Sequence, residues 1–480
     1  MAALRQLTTG TKTLPTYIDH PAWELVEGAK LRALEGAGAQ RVAEQHARGR
    51  LTARERLQVL LDPGTFLESG ALVQQRSFGL HEEQQHCYGE GVVTGSGRVY
   101  GRPVFVFSQD HTTAAGAGSP SGGLVQKICR TIDRAVEVGA PVIGLYDSGR
   151  SGVERGDISL PGYGEIYQRQ VDASGVVPQI SLVMGPCVGE AVLSAALTDV
   201  TLKVTWTQAG GMAPHTVQSG VVPGGFDSEL EALADVRELL AFLPLSASEA
   251  PPRIRCTDPE DRLCPYLDYA IPQSQQEAYD MKDVIEQVVD EGQLFEIQAD
   301  YARGIITGFA RLGGSTVGVV ANQPQVPAGC LDGDACAKAA RFVQFCDAFN
   351  VPLITFMDEP GGPPGTTAQE TDQALVRHGA KLVYAYAQAT VPTLTVITRN
   401  ASGGATDIVA GNLLRADVKL SWPFGRAGNK SSSPLLAAAH GVIDEVIFPR
   451  YTRARLCREL DLLRGKRVAR QPLKHGNPPL

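Results

Sequence analysis

The 480-residue sequence is longer than one ordinary hydrophobic core can organise, so two or more domains are expected. With 20% charged and 43% hydrophobic residues the composition is that of a globular chain, and a net charge of −8 gives no basic footprint for nucleic acid. No apolar run reaches the roughly 18 residues that a membrane-spanning helix needs, and Met1 to Leu14 lacks the apolar segment of a secretory signal, so a cytoplasmic protein is expected.

In chain order, residues 1–37 read as a partly ordered arm. Gly38 to Phe66 has apolar spacing of three and four among dense charges, which predicts two surface helices ended by Asp62-Pro63-Gly64, with the charges as a solvated face. From Gly91 the pattern alternates (GVVTGSGRVYGRPVFVFSQD) and predicts strands. A Gly/Ser-rich loop, a helix through Lys127 and Ala135, and a buried strand PVIGLYD ending at Asp147 follow. Further helices are predicted after Gly189, from Leu230 to Leu243 and from Thr452 to Leu463, with a strand in VKLSWPF; Ala250 to Tyr279 is the linker candidate. Helix alternating with apolar strand is the α/β signature. The nine cysteines form no CxxC pair or Cys/His cluster, so no metal site is expected, and Cys187 is read as a packing residue rather than a nucleophile.

The second half repeats the first. GVVTG at Gly91 returns as GIITG at Gly304, Lys127 returns as Lys338, and APVIGLYD at Ala140 returns as VPLITFMD at Val351, at offsets of 213, 211 and 211 residues. Matching pieces in one order at nearly one offset indicate a duplicated domain. Two glycine-rich turns correspond in this scheme, Cys187 to Ala191 within ISLVMGPCVGEA (Ile180 to Ala191) and Ser402 to Ala405 within VITRNASGGATD (Val396 to Asp407). Gly403, Gly404 and Ala405 leave backbone N–H groups uncovered at a predicted strand-to-helix junction, where they and the helix dipole can receive an oxyanion.

The segments HARGRLTARERLQVLLDPGTF, GYGEIYQRQVDASGVVPQISLVMGPC, VGVVANQP, KAARFVQFCDAFNVPLITF, HGAKLVYAYAQATVP and the terminal KHGNPPL carry a resemblance. From about residue 38 onward the chain resembles the carboxyltransferase β subunits of acyl-CoA carboxylases, of the propionyl-CoA carboxylase type. That resemblance implies two tandem crotonase-like (ClpP/crotonase) α/β domains, here 38–265 and 275–480, assembled as a hexamer. It also implies carboxybiotin as the CO2 donor to the α-carbon of an acyl-CoA, and two backbone oxyanion holes, one for the acyl enolate and one for the biotin carbonyl. Both oxygens gain negative character during transfer, and pre-aimed amides stabilise that charge without reorganisation.

The chain also departs from the family pattern. The acyl-side hole is kept as Gly404 and Ala405, with Asp407 nearby as a substrate-binding candidate. On the biotin side the family's GPCAGG is GPCVGE, so Gly189 stands next to Glu190, whose carboxylate opposes an oxyanion unless it points away. The bland reading of Glu190 is a first-turn residue favoured by the helix dipole. Family segments near Trp206 and after Pro423 are missing, and the family's PGF becomes Pro360-Gly361-Gly362. The CoA loop SGGARIQEG is replaced by Ser148 to Gly156, in which Arg150, Ser151, Gly152 and Arg155 are candidates for holding a substrate carboxylate; surface charge without function is the competing reading. His111, Glu154, His215 and Glu190 are the ionisable candidates for proton supply. Keeping the enolate hole while altering the biotin hole leads to the expectation of a biotin-independent decarboxylase of a malonyl-type or β-keto carboxylate in secondary metabolism. On that reading it is a homo-oligomer with no cofactor. The alternatives are a biotin-dependent carboxyltransferase β subunit, working with biotin on a carrier protein and a biotin carboxylase, and a non-catalytic hexamer partner.

Overall fold

The computed structural model describes residues 21–36, 38–74, 88–110, 112, 122–148, 160–185, 187, 189–204, 225–272, 274, 277–326, 331–359, 373–401, 416–427, 433–469, 476–477 and 479. Two sheets stand one after the other along the chain. The first is ordered β1(Leu67–Ser69), β2(Val92–Val99), β3(Arg102–Gln109), β4(Val142–Tyr146), β5(Gln179–Val183), β6(Val200–Lys203). The second runs β7(Leu294–Glu296), β8(Ile305–Leu312), β9(Ser315–Asn322), β10(Leu353–Glu359), β11(Thr393–Ala401), β12(Val418–Ser421), β14(Glu445–Val446), with β13(Arg426–Ala427) beside β11. In each sheet the first three strands are antiparallel and the rest parallel, with helices supplying the crossovers.

The duplication inferred from sequence is visible in side-chain detail. β1 crosses β2 with Glu68 opposite Gly95, and β7 crosses β8 with Glu296 opposite Gly308. A Cβ at Gly95 would stand 2.3 Å from the Leu67 carbonyl oxygen and one at Gly308 2.6 Å from that of Phe295, so only glycine allows either crossing. Thr94 Oγ1 donates to the Ser69 carbonyl at 2.8 Å, and Thr307 Oγ1 to the Ile297 carbonyl at 3.1 Å. Lys127, on helix Gly122–Val138, donates to the carbonyls of Gly89 and Val92; Lys338, on helix Gly333–Ala348, donates to those of Gln298, Tyr301 and Ile305, each at 2.9 Å. After both helices the chain turns through left-handed residues one repeat apart, Gly139 (φ 72) and Asn350 (φ 57).

The predicted two helices before β1 are present at Ala39–Ala47 and Ala53–Leu60, the second opened by a Thr52/Glu55 capping box. Their charges are not simply a solvated face. Arg56 is 1% exposed because its guanidinium turns inward onto two carboxylates, so here ion pairing overrides the surface pattern. The arm contains a helix, Pro21–Glu35. The predicted linker is packed onto the second half: Ile254 N donates to Gly314 O, and Cys264, Leu267 and Tyr279 are buried in that half's core. One apolar cluster joins the halves, with Phe242 of helix Glu229–Phe242 against Phe295 and Phe309 of the second sheet. No helix among the described residues is long and apolar enough to cross a membrane.

Because Lys338 is 4% exposed and satisfies three carbonyls, Lys338→Met removes the charge and leaves three buried acceptors unpaired. Urea unfolding is expected to show a loss of about 3 kcal/mol. A variant as stable as the parent would mean that the clamp contributes nothing.

Candidate active site

In an open α/β sheet, ligands bind outside the carboxyl ends of the parallel strands. In the first half those ends are Gln109, Asp147 and the turn after β5. Asp147 is 1% exposed; its amide donates to Gln109 Oε1 at 3.0 Å, and Arg56 Nη1 lies 2.9 Å from its Oδ2. Arg56 also grips Glu229 with Nε and Nη2, at 3.2 and 2.7 Å, while Glu229 accepts from Leu51 N. Burial works against the Arg56 charge, but the two carboxylates outweigh it and its pKa is raised. Gly185 lies against this cluster: a Cβ there would fall 1.9 Å from Asp147 Oδ1.

Two residues further on, Cys187 is buried, and burial pushes its thiol up to about 12, as fits a packing residue and not a thiolate nucleophile. Gly189 (φ 60, ψ −128) starts helix Glu190–Ala196 in a conformation that only glycine adopts readily, and no side chain caps that helix. The helix is held by Tyr167, whose hydroxyl donates to the Glu190 carbonyl at 2.8 Å, and by Ser194, which hydrogen-bonds Tyr146 and Gln170. Burial, then the Glu190 charge, raises the Tyr167 pKa.

In the second half Asp358, one repeat after Asp147, is also 1% exposed. It accepts from Arg399 Nε at 3.0 Å and from Asn400 N and Nδ2, each at 3.1 Å. Arg399 additionally donates to the Ser274 and Glu277 carbonyls and lies over the Tyr279 ring. The end of β11, immediately before Ser402, is thereby fixed to the end of β10.

Of the residues singled out from sequence, the structure describes Gly189 and Glu190, and it places them together at the start of one helix. His111, Arg150, Ser151, Gly152, Glu154, Arg155, His215, Gly361, Gly362, Gly403, Gly404, Ala405 and Asp407 lie outside the described residues. Sequence reading missed Arg56, Glu229, Tyr167 and Arg399. The repeated Asp147/Asp358 pair was the available signal, since a buried carboxylate requires a partner.

The carboxyl transferase domain model matches residues 44–209 and 202–429. The propionyl-CoA carboxylase beta chain of Sus scrofa is 46% identical over 530 residues, covering 99% of this chain and 97% of its own. That span exceeds the 480 residues here, so the relative carries stretches this chain lacks. Methylmalonyl-CoA decarboxylase subunit alpha of Propionigenium modestum is 40% identical over 93% of this chain and 96% of its own. A solved structure of transcarboxylase 12S, a hexamer assembly with hydrolysed methylmalonyl-coenzyme A bound, superposes with a TM-score of 0.89 at 36% identity, covering 98% of this chain and 100% of that one.

Replacing Arg56 by Met leaves Asp147 and Glu229 buried without their shared cation. The expected loss in denaturant unfolding is about 3–5 kcal/mol, as for other broken buried pairs. A loss below about 1 kcal/mol, the usual size for a surface pair, would show the cluster to be dispensable.

Proposed function

The chain belongs to the carboxyl transferase family and is an enzyme of the acyl-CoA carboxylase β type, built from two tandem crotonase-like units. From that premise we infer that it is the carboxyltransferase subunit of a biotin-dependent carboxylase acting on a short-chain acyl-CoA of the propionyl-CoA class. The observation that carries this is the 46% identity to a propionyl-CoA carboxylase beta chain over almost the whole of both chains. Cytoplasmic residence and a homo-oligomer, as in the hexameric transcarboxylase, are part of the same proposal. The comparisons favour this reading over the biotin-independent decarboxylase suggested by Glu190 and the shortened segments, and nothing in them points to secondary metabolism.

The residues fit a biotin carried by a partner protein. Gly189 has a left-handed φ, no described atom lies within 4 Å of where a Cβ would stand, and the first turn of the following helix has no side-chain cap. Such a turn suits an oxygen acquiring negative charge. Biotin, when bound, supplies the CO2 to be transferred. The Gly404 and Ala405 amides are proposed to receive the acyl oxygen of the enolate, and Arg399 and Asp358 to fix the strand end that carries them. Tyr167 holds the Gly189 turn through the Glu190 carbonyl.

The test supplies purified protein with a carboxylated biotinyl carrier and propionyl-CoA, and follows the carboxylated thioester by mass spectrometry. Product is expected only with the carrier present. Gly404→Pro, which deletes one amide, should lower kcat by roughly 10²–10³. Steady release of CO2 from a malonyl-type thioester without any carrier, and no transfer with one, would overturn the proposal in favour of the decarboxylase.

A further inference from the structure

Away from the strand ends, a cavity of about 200 Å³ opens where helix Gly122–Val138 crosses the β1–β2 edge. Gln126, Arg130 and Arg134 line one side of it, at four-residue spacing on a single stripe of the helix; Ser69 and Thr94 line the other. No acidic side chain lines it. Glu68 is paired with Arg54 at 2.7 Å and Asp133 with Arg169 at 3.1 Å, while the Glu90 carboxylate, buried beside Gly123 at the start of the same helix, has no hydrogen-bond partner among the described residues. Arg134 is steadied by Ser69 Oγ at 3.3 Å and by the Phe105 ring 5.8 Å away. Arg130 is exposed and makes no hydrogen bond or ion pair among the described residues, so none of those residues uses its guanidinium fork. Lys127 forms part of the wall, but its ammonium is spent on two carbonyls.

The duplicated half supplies an internal control. At the same offset, Arg130, Thr131 and Arg134 become Arg341, Phe342 and Phe345, while the lysine and threonine clamps are retained. There Phe309 fills the space between Phe342, Phe345 and Phe242, with ring centroids 5.1, 5.9 and 6.0 Å apart, and Arg341 is used on the Thr198 carbonyl at 2.9 Å. One backbone frame therefore occurs twice, once closed by aromatics and once left open with two arginines. A packing role would have been served by the closed version.

We propose that the Arg130–Arg134 cavity is a binding site for a small tetrahedral oxyanion of the phosphate class, separate from the strand-end active site. The Arg130 fork provides two parallel donors, Arg134 a third from its remaining nitrogens, and the Gln126 amide a fourth; the volume suits a phosphate or a small phosphate monoester.

The test is thermal unfolding of the full chain in rising inorganic phosphate against chloride at matched ionic strength, with isothermal titration calorimetry for stoichiometry. A saturable rise in Tm with one site per chain is expected. Arg130→Gln, which removes no hydrogen bond or ion pair among the described residues, should fold with the parent's Tm in chloride and bind phosphate at least about tenfold more weakly, with partial rescue by Arg130→Lys. The proposal is overturned by a shift that grows without saturating, by an Arg130→Gln variant that keeps the parent's phosphate response, or by a change in oligomeric mass in that variant, which would show a subunit contact at the cavity instead.

Discussion

A carboxylate buried at the end of a parallel strand is the constraint around which each half is built. Asp147 and Asp358 stand one repeat apart, both 1% exposed, and an ionised carboxyl there is tolerated only if a cation and donors come to it. Each half recruits its arginine differently. Arg56 arrives from a helix that precedes the first sheet, and by gripping Glu229 it also ties down the helix that closes the first half. Arg399 comes from the adjacent strand and reaches back to the carbonyls of Ser274 and Glu277. In both cases the pairing makes a strand end rigid at the place where an α/β sheet binds ligands, which is what a preorganised site requires.

Much of this was legible in the sequence, because the two periodicities and the repeat offset do not depend on tertiary contacts. Helices through Lys127, after Gly189, near Leu230 and from Thr452 can all be read, and the duplication pairs Lys338 with Lys127 and Asp358 with Asp147 from sequence alone. What escaped was the inside of charged segments. The stretch from Gly38 to Phe66 looks like a solvated pair of helices because three- and four-residue apolar spacing says nothing about which charge turns inward. Arg56 is indistinguishable from Arg54 until Glu229, 173 residues later, is brought beside it. The Pro-rich linker failed in the opposite sense: its composition suggests exposure, yet Cys264, Leu267 and Tyr279 lie in the second half's core. Of the site itself, the Gly189–Glu190 turn could be located but the hydrogen bonds that hold it could not, since Tyr167 carries no local mark of its role.

The halves have diverged where they face different neighbours and agree where the backbone demands it. Gly95 and Gly308 are retained because a Cβ would collide with the crossing strand, and the lysine and threonine clamps because carbonyls at those crossings need donors. By contrast, the aromatic seam of Phe242, Phe295 and Phe309 exists only on the second sheet, where it joins the halves into one apolar cluster. The frame is thus conserved internally while its outer surfaces have been free to take on separate tasks.

Glu190 bears on the proposed reaction direction through its setting. Taken from sequence, a carboxylate next to an oxyanion hole costs about 3 kcal/mol or more at 4–6 Å in a partly screened medium. In the structure it is the first residue of a helix, where the dipole favours it by about 0.3–1 kcal/mol, and the Tyr167 hydroxyl holds its backbone carbonyl. The residue thus has a favourable local setting as a first-turn helix residue, whichever reaction the site performs. Carboxylation and decarboxylation pass through one enolate, so the amides that stabilise it serve both. On the proposed reading the direction is set by whether a carrier brings or removes CO2.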